Sequence, residues 1–395
     1  MPPVASAHVV ATAPTTRPTT FPYVEALDGL RGVLVFPVAL YHFSLTAGAD
    51  QIWAKGSFFA PSVFFALSGF LITSLLLVEH ERTGALDWRG FWRRRFRRLL
   101  PASVVLVFVA ALLGALVPSL WSGLLPLSDA AAGLFSVKNW QSIAVADQHT
   151  FRLLGPLSPY WSLAVEEQFY LGLSIVVAIA ARSANFTRWL VGLLVGVGIF
   201  SIVSLVVHQD SLVREFFGTD TRASEIVAGC LMAVVVHRRG WPAQRWWATA
   251  GWAAFAVIVV AWALVPEDAP WVLGGGLALI SIVNIGLIGG AIVPGTFASF
   301  LRFSPLVELG KISYPVYLVH WPVGMVLTVE RTGLTGWPLI GLRFAVTILC
   351  GYAIFRFIER PMRHKGVLKG RAGFAAWAAV CAGALVLAAI GQARA

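Results

Sequence analysis

LDGLRGVLVFPVALYHF, residues 27–43, is apolar over the length of a membrane-spanning helix yet carries Arg31 and His42. An ionisable side chain at membrane depth costs about 3 kcal/mol or more on insertion scales, so one that is kept marks a candidate functional site. The two residues are eleven apart. At about 100° per residue they return to nearly the same face, roughly 16 Å apart along the axis. A permanent cation and a titratable imidazole therefore share one stripe, and lipid is the wrong neighbour for both.

The rest of the chain repeats the membrane signal. Hydrophobic residues make up 58% and charged residues 12% of its 395 residues, and the mean hydropathy is +0.77, outside the usage of soluble domains. Apolar runs of spanning length fall near 27–47, 58–78, 99–118, 160–181, 189–207, 220–236, 246–265, 272–290, 312–328, 338–357 and 373–391. The expected fold class is all-α, a polytopic membrane helix bundle of about 10–11 transmembrane helices with a cytoplasmic N-terminus. The loops between alternate spans, 79–98, 182–188, 237–245, 291–311 and 358–372, hold 19 of the 30 Lys and Arg. The opposite loops hold only Lys55, Lys138, Arg152, Arg214 and Arg331. This is the positive-inside pattern. The net charge of +11 is accounted for by topology, and no nucleic-acid partner is implied.

Residues 1–22 read as a Pro-, Thr- and Ala-rich disordered tail without the layout of a cleaved signal peptide. The membrane domain covers 23–364, and 365–395 reads as a linker and an extra C-terminal helix. Within 119–159, SGLLPLSDAAAGLFSVKNW (122–140) predicts one short interfacial helix rather than a span. The three cysteines lie in apolar runs, as small packing residues do. The eight histidines lack ligand spacing, so no metal is expected.

Five segments carry candidate chemistry. In the first, His42 is either a packing histidine or a general base, whose ordinary pKa suits that role; Asp28, three residues before Arg31, is placed to pair with it. The second is FWRRRFRRLLPA (91–102). As a basic cluster it can do no more than hold topology. Arg95, Arg98 and Pro101, however, are spaced by three, which puts two guanidiniums on one face, suited to the phosphates of a coenzyme A thioester. In SPYWSLAVEEQFYL (158–171), Glu166 and Glu167 point about 100° apart, so one faces a given site; Glu166 shares a face with Ser162, with Trp161 beside it. In GTDTRASEIVAGCLMA (218–233), Asp220 and Arg222 stand at a helix start, where capping is the plain role for Asp220. In LGKISYPVYLVHWPV (309–323), Ser313, Tyr317 and His320 form one polar stripe, a candidate cavity lining, on a helix that Pro315 is expected to loosen.

Together with SVFFALSGFLIT (62–73) and IERP (358–361), these motifs resemble the acyltransferase-3 family of integral membrane O-acyltransferases over about residues 23–364. The resemblance implies acyl transfer, commonly acetyl, from cytoplasmic acyl-CoA to a hydroxyl acceptor. The acceptor would be a cell-envelope glycan or glycolipid, or a secondary metabolite such as a macrolide sugar. Acyl-CoA is a co-substrate, with no tightly bound cofactor expected, and the location implied is the bacterial inner membrane. Arg31 and His42 are the implied catalytic pair and Arg95 and Arg98 the donor-binding pair. Glu166 would orient His42, and Tyr317 or Arg31 would stabilise the developing negative charge. Asp28, Trp161, Ser313, His320, Asp220 and Arg222 are expected around the substrate cavity. Some family members continue into an extracytoplasmic hydrolase-like domain, which is expected to be absent here and supplied, if needed, by a separate partner. The alternative from another class is a transporter of acylated or anionic solutes, disfavoured because no repeated halves are visible.

Overall fold

The computed structural model describes residues 21–49, 55–121, 125–145, 155–242, 244–266, 269–364 and 370–394. The expected tail at 1–20, most of the linker at 365–369, and Arg152 lie outside these residues. The described elements are helical: α1 Glu25–Ala47, α2 Ala60–Thr83, α3 Trp88–Leu116, α4 Leu127–Leu134, α5 Lys138–Val145, α6 Tyr160–Ala180, α7 Phe186–Val207, α8 Leu212–Phe217 and α9 Thr219–Arg239. They continue with α10 Trp246–Leu264, α11 Leu277–Ile292, α12 Thr296–Leu301, α13 Ser304–Lys311, α14 Ser313–Val326, α15 Val329–Thr332, α16 Gly336–Ile354, α17 Arg360–His364 and α18 Gly370–Arg394. No strand occurs among the described residues.

Every one of the eleven expected spans is a helix. Among the described residues, eight helical stretches are long and apolar enough to cross a membrane by themselves. The other three, α9, α11 and α14, fall short for identifiable reasons. The α9 helix carries Asp220, Arg222 and Glu225, α11 has 16 residues and α14 has 14. Helices that bury polar groups against other helices need not satisfy the lipid-facing rule. The 119–159 region differs from expectation. It forms two short helices, α4 and α5, because Ser136 at the junction takes a left-handed φ of 54° that interrupts the run. Lys138, at the start of α5, is buried and paired with Asp129 at 2.5 Å. Burial lowers the lysine pKa and raises the carboxyl's, each opposed by the partner's charge.

Glycines let neighbouring backbones touch, the membrane equivalent of apolar driving force. A Cβ on Gly229 of α9 would lie 1.8 Å from the Ala66 carbonyl of α2, and one on Gly310 of α13 would lie 1.7 Å from the Asp28 carbonyl of α1. The C-terminal α18 docks along α3, with Ala384 and Ala388 buried. Arg394 donates to the Ala115 carbonyl at 3.1 Å, and Gln392 accepts from the Leu127 amide at 2.9 Å. The three largest apolar clusters lie around α1, α2, α10 and α11, around α2, α6, α7 and α9, and around α3, α6, α14 and α18, with two smaller ones where α1 meets α16 and α14. The helices α1, α2, α3, α6 and α14 meet between them and leave the interior cavity.

Candidate active site

The Asp87 side chain caps α3 by accepting from the Gly90 amide at 2.8 Å, which sets the phase of the basic run that follows. Arg93 and Arg94 fall on the exposed face, where Arg94 reaches Glu79 at 3.5 Å. Arg95 and Arg98 turn inward. They line a pocket of about 750 Å³, counted out to its solvent mouth, together with Arg31 of α1, Ser68 of α2, Ser162 and Glu166 of α6, and Ser313, Tyr314 and Tyr317 of α14. The Arg95 guanidinium lies 3.3 Å from the centroid of the Tyr170 ring, a cation–π contact that fixes its plane. The Nε atoms of Arg95 and Arg98 are buried and make no hydrogen bond to the described residues. Buried donors without acceptors are costly, so these two nitrogens are poised for an anionic ligand.

Glu166 is the inward carboxylate, as expected. It accepts from Ser68 and from Tyr170, whereas Glu167 turns to Ser136. The wall thus carries three guanidiniums and one carboxylate, a net positive cavity that attracts anions. Arg31 is held by Asp28 at 2.8 Å, and Asp28 also accepts from the Tyr23 hydroxyl at 2.7 Å. At the other end of the cavity the Ser162 and Tyr317 hydroxyls are 2.7 Å apart, and Tyr317 donates to the Pro159 carbonyl at 3.0 Å. Tyr314 donates to the Leu99 carbonyl at 2.7 Å and ties α14 to α3.

One turn beyond Tyr317, His320 meets His42. Nδ1 of His42 and Nε2 of His320 are 2.6 Å apart, and the rings are parallel within 11° at 4.9 Å between centroids. Both are buried. The Trp321 ring stands edge-on to His42 at 5.3 Å. Arg343 of α16, fully buried, clamps the ends of the two helices that carry the histidines. It donates to the Phe43 carbonyl at 2.8 Å, the Thr46 hydroxyl at 2.9 Å and the Leu327 carbonyl at 2.9 Å, where a cation also complements the helix C-termini.

Several expected positions are corrected. Asp28 serves Arg31 and is not on the cavity wall. Trp161 is buried against Phe65 and Phe217, with ring centroids at 6.2 and 5.1 Å, because its neighbour Ser162 takes the inward face. Asp220 pairs with Arg214 at 2.7 Å and accepts from Ser204. Arg222 is enclosed with Glu225 at 2.9 Å and donates to Ser62 at 3.0 Å, so this motif is an internal brace. His320 contacts His42 rather than lining the cavity, and Glu166 bonds Ser68 and Tyr170 rather than His42. Pro315 does not loosen α14; it stands in the first turn, where its missing N–H is not needed. Ser68, Tyr170, Tyr314 and Arg343 were missed. Arg343 had a usable signal, an arginine well inside the tenth apolar run, where Arg356 stands only at its end; Ser68 and the two tyrosines are too common in spans to single out.

Residues 24–356 match the family model described as an acyltransferase domain. The chain belongs to the acyltransferase-3 family. Within this family it is 34% identical over 372 residues to the peptidoglycan O-acetyltransferase OatA of Listeria monocytogenes, covering 89% of this chain and 58% of that one. It is 32% identical over 366 residues to the O-acetyltransferase OatA of Staphylococcus aureus, covering 87% and 58%. A putative O-acetyltransferase of Staphylococcus aureus is 31% identical over 366 residues, again covering 87% and 58%. The chain therefore spans 58% of the length of these acyltransferase-3 relatives. No solved structure matches it.

Proposed function

We propose that the chain moves an acyl group, acetyl in the simplest case, from cytoplasmic acyl-CoA to a hydroxyl of a cell-envelope glycan. The observation that carries this reading is the positively charged cavity whose far wall, at Tyr317, stands one helical turn from the His42–His320 pair. The excess of basic residues in the loops flanking this end supports a cytoplasmic Arg95 and Arg98, on the side where acyl-CoA is available. The phosphates of the donor neutralise Arg95 and Arg98, and the pantetheine arm carries the thioester along the cavity towards Tyr317. His42 removes the proton of the acceptor hydroxyl as its oxygen attacks the thioester carbonyl. The carbon–sulfur bond breaks, and the departing thiolate takes a proton back. Arg31 or the Tyr317 hydroxyl balances the charge that builds on the carbonyl oxygen.

The acceptor class is supported by the relatives, one of which is named for peptidoglycan; a macrolide sugar has no such support. The test is purified protein in lipid nanodiscs with radiolabelled acetyl-CoA and a panel of muropeptides and simple glycans. Label transferred to a glycan hydroxyl, with release of free coenzyme A, is the expected result. Coenzyme A release that stays at the background rate with every acceptor would overturn the reading. Passage of an acylated solute without donor consumption would restore the transporter alternative.

A further inference from the structure

The hydrogen bonds around the two histidines determine where each proton sits. His320 Nδ1 lies 2.5 Å from the Tyr317 carbonyl oxygen. A carbonyl can only accept, so Nδ1 of His320 carries the hydrogen. Neutral imidazole has one N–H, which leaves Nε2 of His320 as a lone pair. That lone pair faces Nδ1 of His42 at 2.6 Å, so Nδ1 of His42 must be the donor. The remaining nitrogen, Nε2 of His42, is then the basic one. Reversing both rings would set the His320 Nδ1 lone pair against the Tyr317 carbonyl oxygen, and reversing His42 alone would set two lone pairs against each other between the rings.

The geometry points to His320 as the positioning residue of the reaction: through its bond to the Tyr317 carbonyl it holds His42 in the Nδ1–H tautomer, making Nε2 the general base. The inference rests on the acyl-transfer reading for its kinetic consequence, though not for the tautomer itself. When Nε2 takes the acceptor proton, the His42 imidazolium keeps its Nδ1–H bond to His320, so the charge forms against an acceptor already in place. The proton then leaves from the same Nε2 to the coenzyme A thiolate, and both histidines return to their starting tautomers. Tyr317 couples the two halves of the site. Its hydroxyl stands on the cavity wall beside Ser162, and its peptide carbonyl anchors the histidine pair. Arg343 joins α1 to the end of α14 beside the pair.

Two variants separate orientation from bulk. In His320→Gln the side-chain carbonyl can reach the place of Nε2 and accept from His42, whereas His320→Leu fills the space without an acceptor. A base locked in the wrong tautomer loses up to about 10⁴-fold in rate. His320→Leu should therefore lower kcat about 100-fold or more with the KM for acetyl-CoA unchanged, and His320→Gln should recover most of the loss. The second readout needs no turnover. With ¹⁵N-labelled histidine, assigned by difference against His42→Ala, the His42 signals should show a protonated Nδ1 in the wild type and in His320→Gln, and a mixed or reversed pattern in His320→Leu. A wild-type spectrum with Nε2 protonated, or His320→Leu turning over like the wild type, overturns the inference. If no acceptor is acylated at all, the acyl-transfer reading fails while the spectrum still decides the tautomer.

Discussion

Gly310→Ala should disable the proposed acyl transfer without touching a charged or nucleophilic side chain. The Cβ it adds would sit 1.7 Å from the Asp28 carbonyl oxygen, and real Cβ contacts are not found below 3.0 Å, so α13 and α1 must part by at least 1.3 Å. The obstacle is backbone on both sides and cannot swing away. Overpacking of this kind costs about 1–3 kcal/mol of stability. The catalytic cost is larger, because the helix being moved carries Asp28 and, one turn on, Arg31 at the cavity wall, and further along it His42. A displacement of about 1 Å at reacting groups can cost about 100-fold in rate. Acetyl transfer from labelled acetyl-CoA by protein in nanodiscs should fall by about that factor, with Tm lowered by a few degrees and membrane insertion intact. Gly172→Ala and Gly341→Ala are matched controls, since nothing lies within 4 Å of a Cβ at either; both should keep wild-type Tm and rate. If Gly310→Ala transfers acetyl within about threefold of wild type at unchanged Tm, the close seam between α1 and α13 does not position the site.

His42→Ala should lower transfer by about 10²- to 10⁴-fold, the usual worth of a general base, with expression unchanged; retention of a few tenths of the wild-type rate would remove His42 from the chemistry. Arg95→Ala and Arg98→Ala should mainly raise the KM for acyl-CoA, because phosphate contacts act alike on ground and transition states. Added salt should weaken donor binding to the wild type more than to the double variant; identical donor binding in all three variants would reduce both arginines to topological charges. Arg343→Met removes the donor to the Leu327 carbonyl and the second donor to the Phe43 carbonyl, which keeps its bond within α1; the one buried orphan costs about 1–3 kcal/mol. The variant should unfold earlier in a detergent melt and lose kcat together with stability, and a wild-type melting curve would show that the clamp does not hold α1 and α14.

Much of this molecule was legible along the chain because a bilayer imposes a local rule. A span must be apolar over its own length whatever it packs against, so each expected span could be located one at a time. The same rule made Arg31 and His42 conspicuous, and the 100° step between neighbours correctly separated an inward Glu166 from Glu167. Spacing by three likewise separated inward Arg95 and Arg98 from exposed Arg93 and Arg94. Contacts between helices obey no such local rule. Asp220 and Arg222 looked like cavity residues because a charge near a span signals a polar neighbour, but pattern cannot say whether that neighbour is a substrate or, as here, Arg214 and Glu225. Sequence alone determined the helices, their order and the polar residues they carry. The tertiary structure alone decided that His42 finds His320, 278 residues away, and that Arg343 pins both their helices, because those choices depend on the rotation of each helix about its axis, which packing sets and lipid does not.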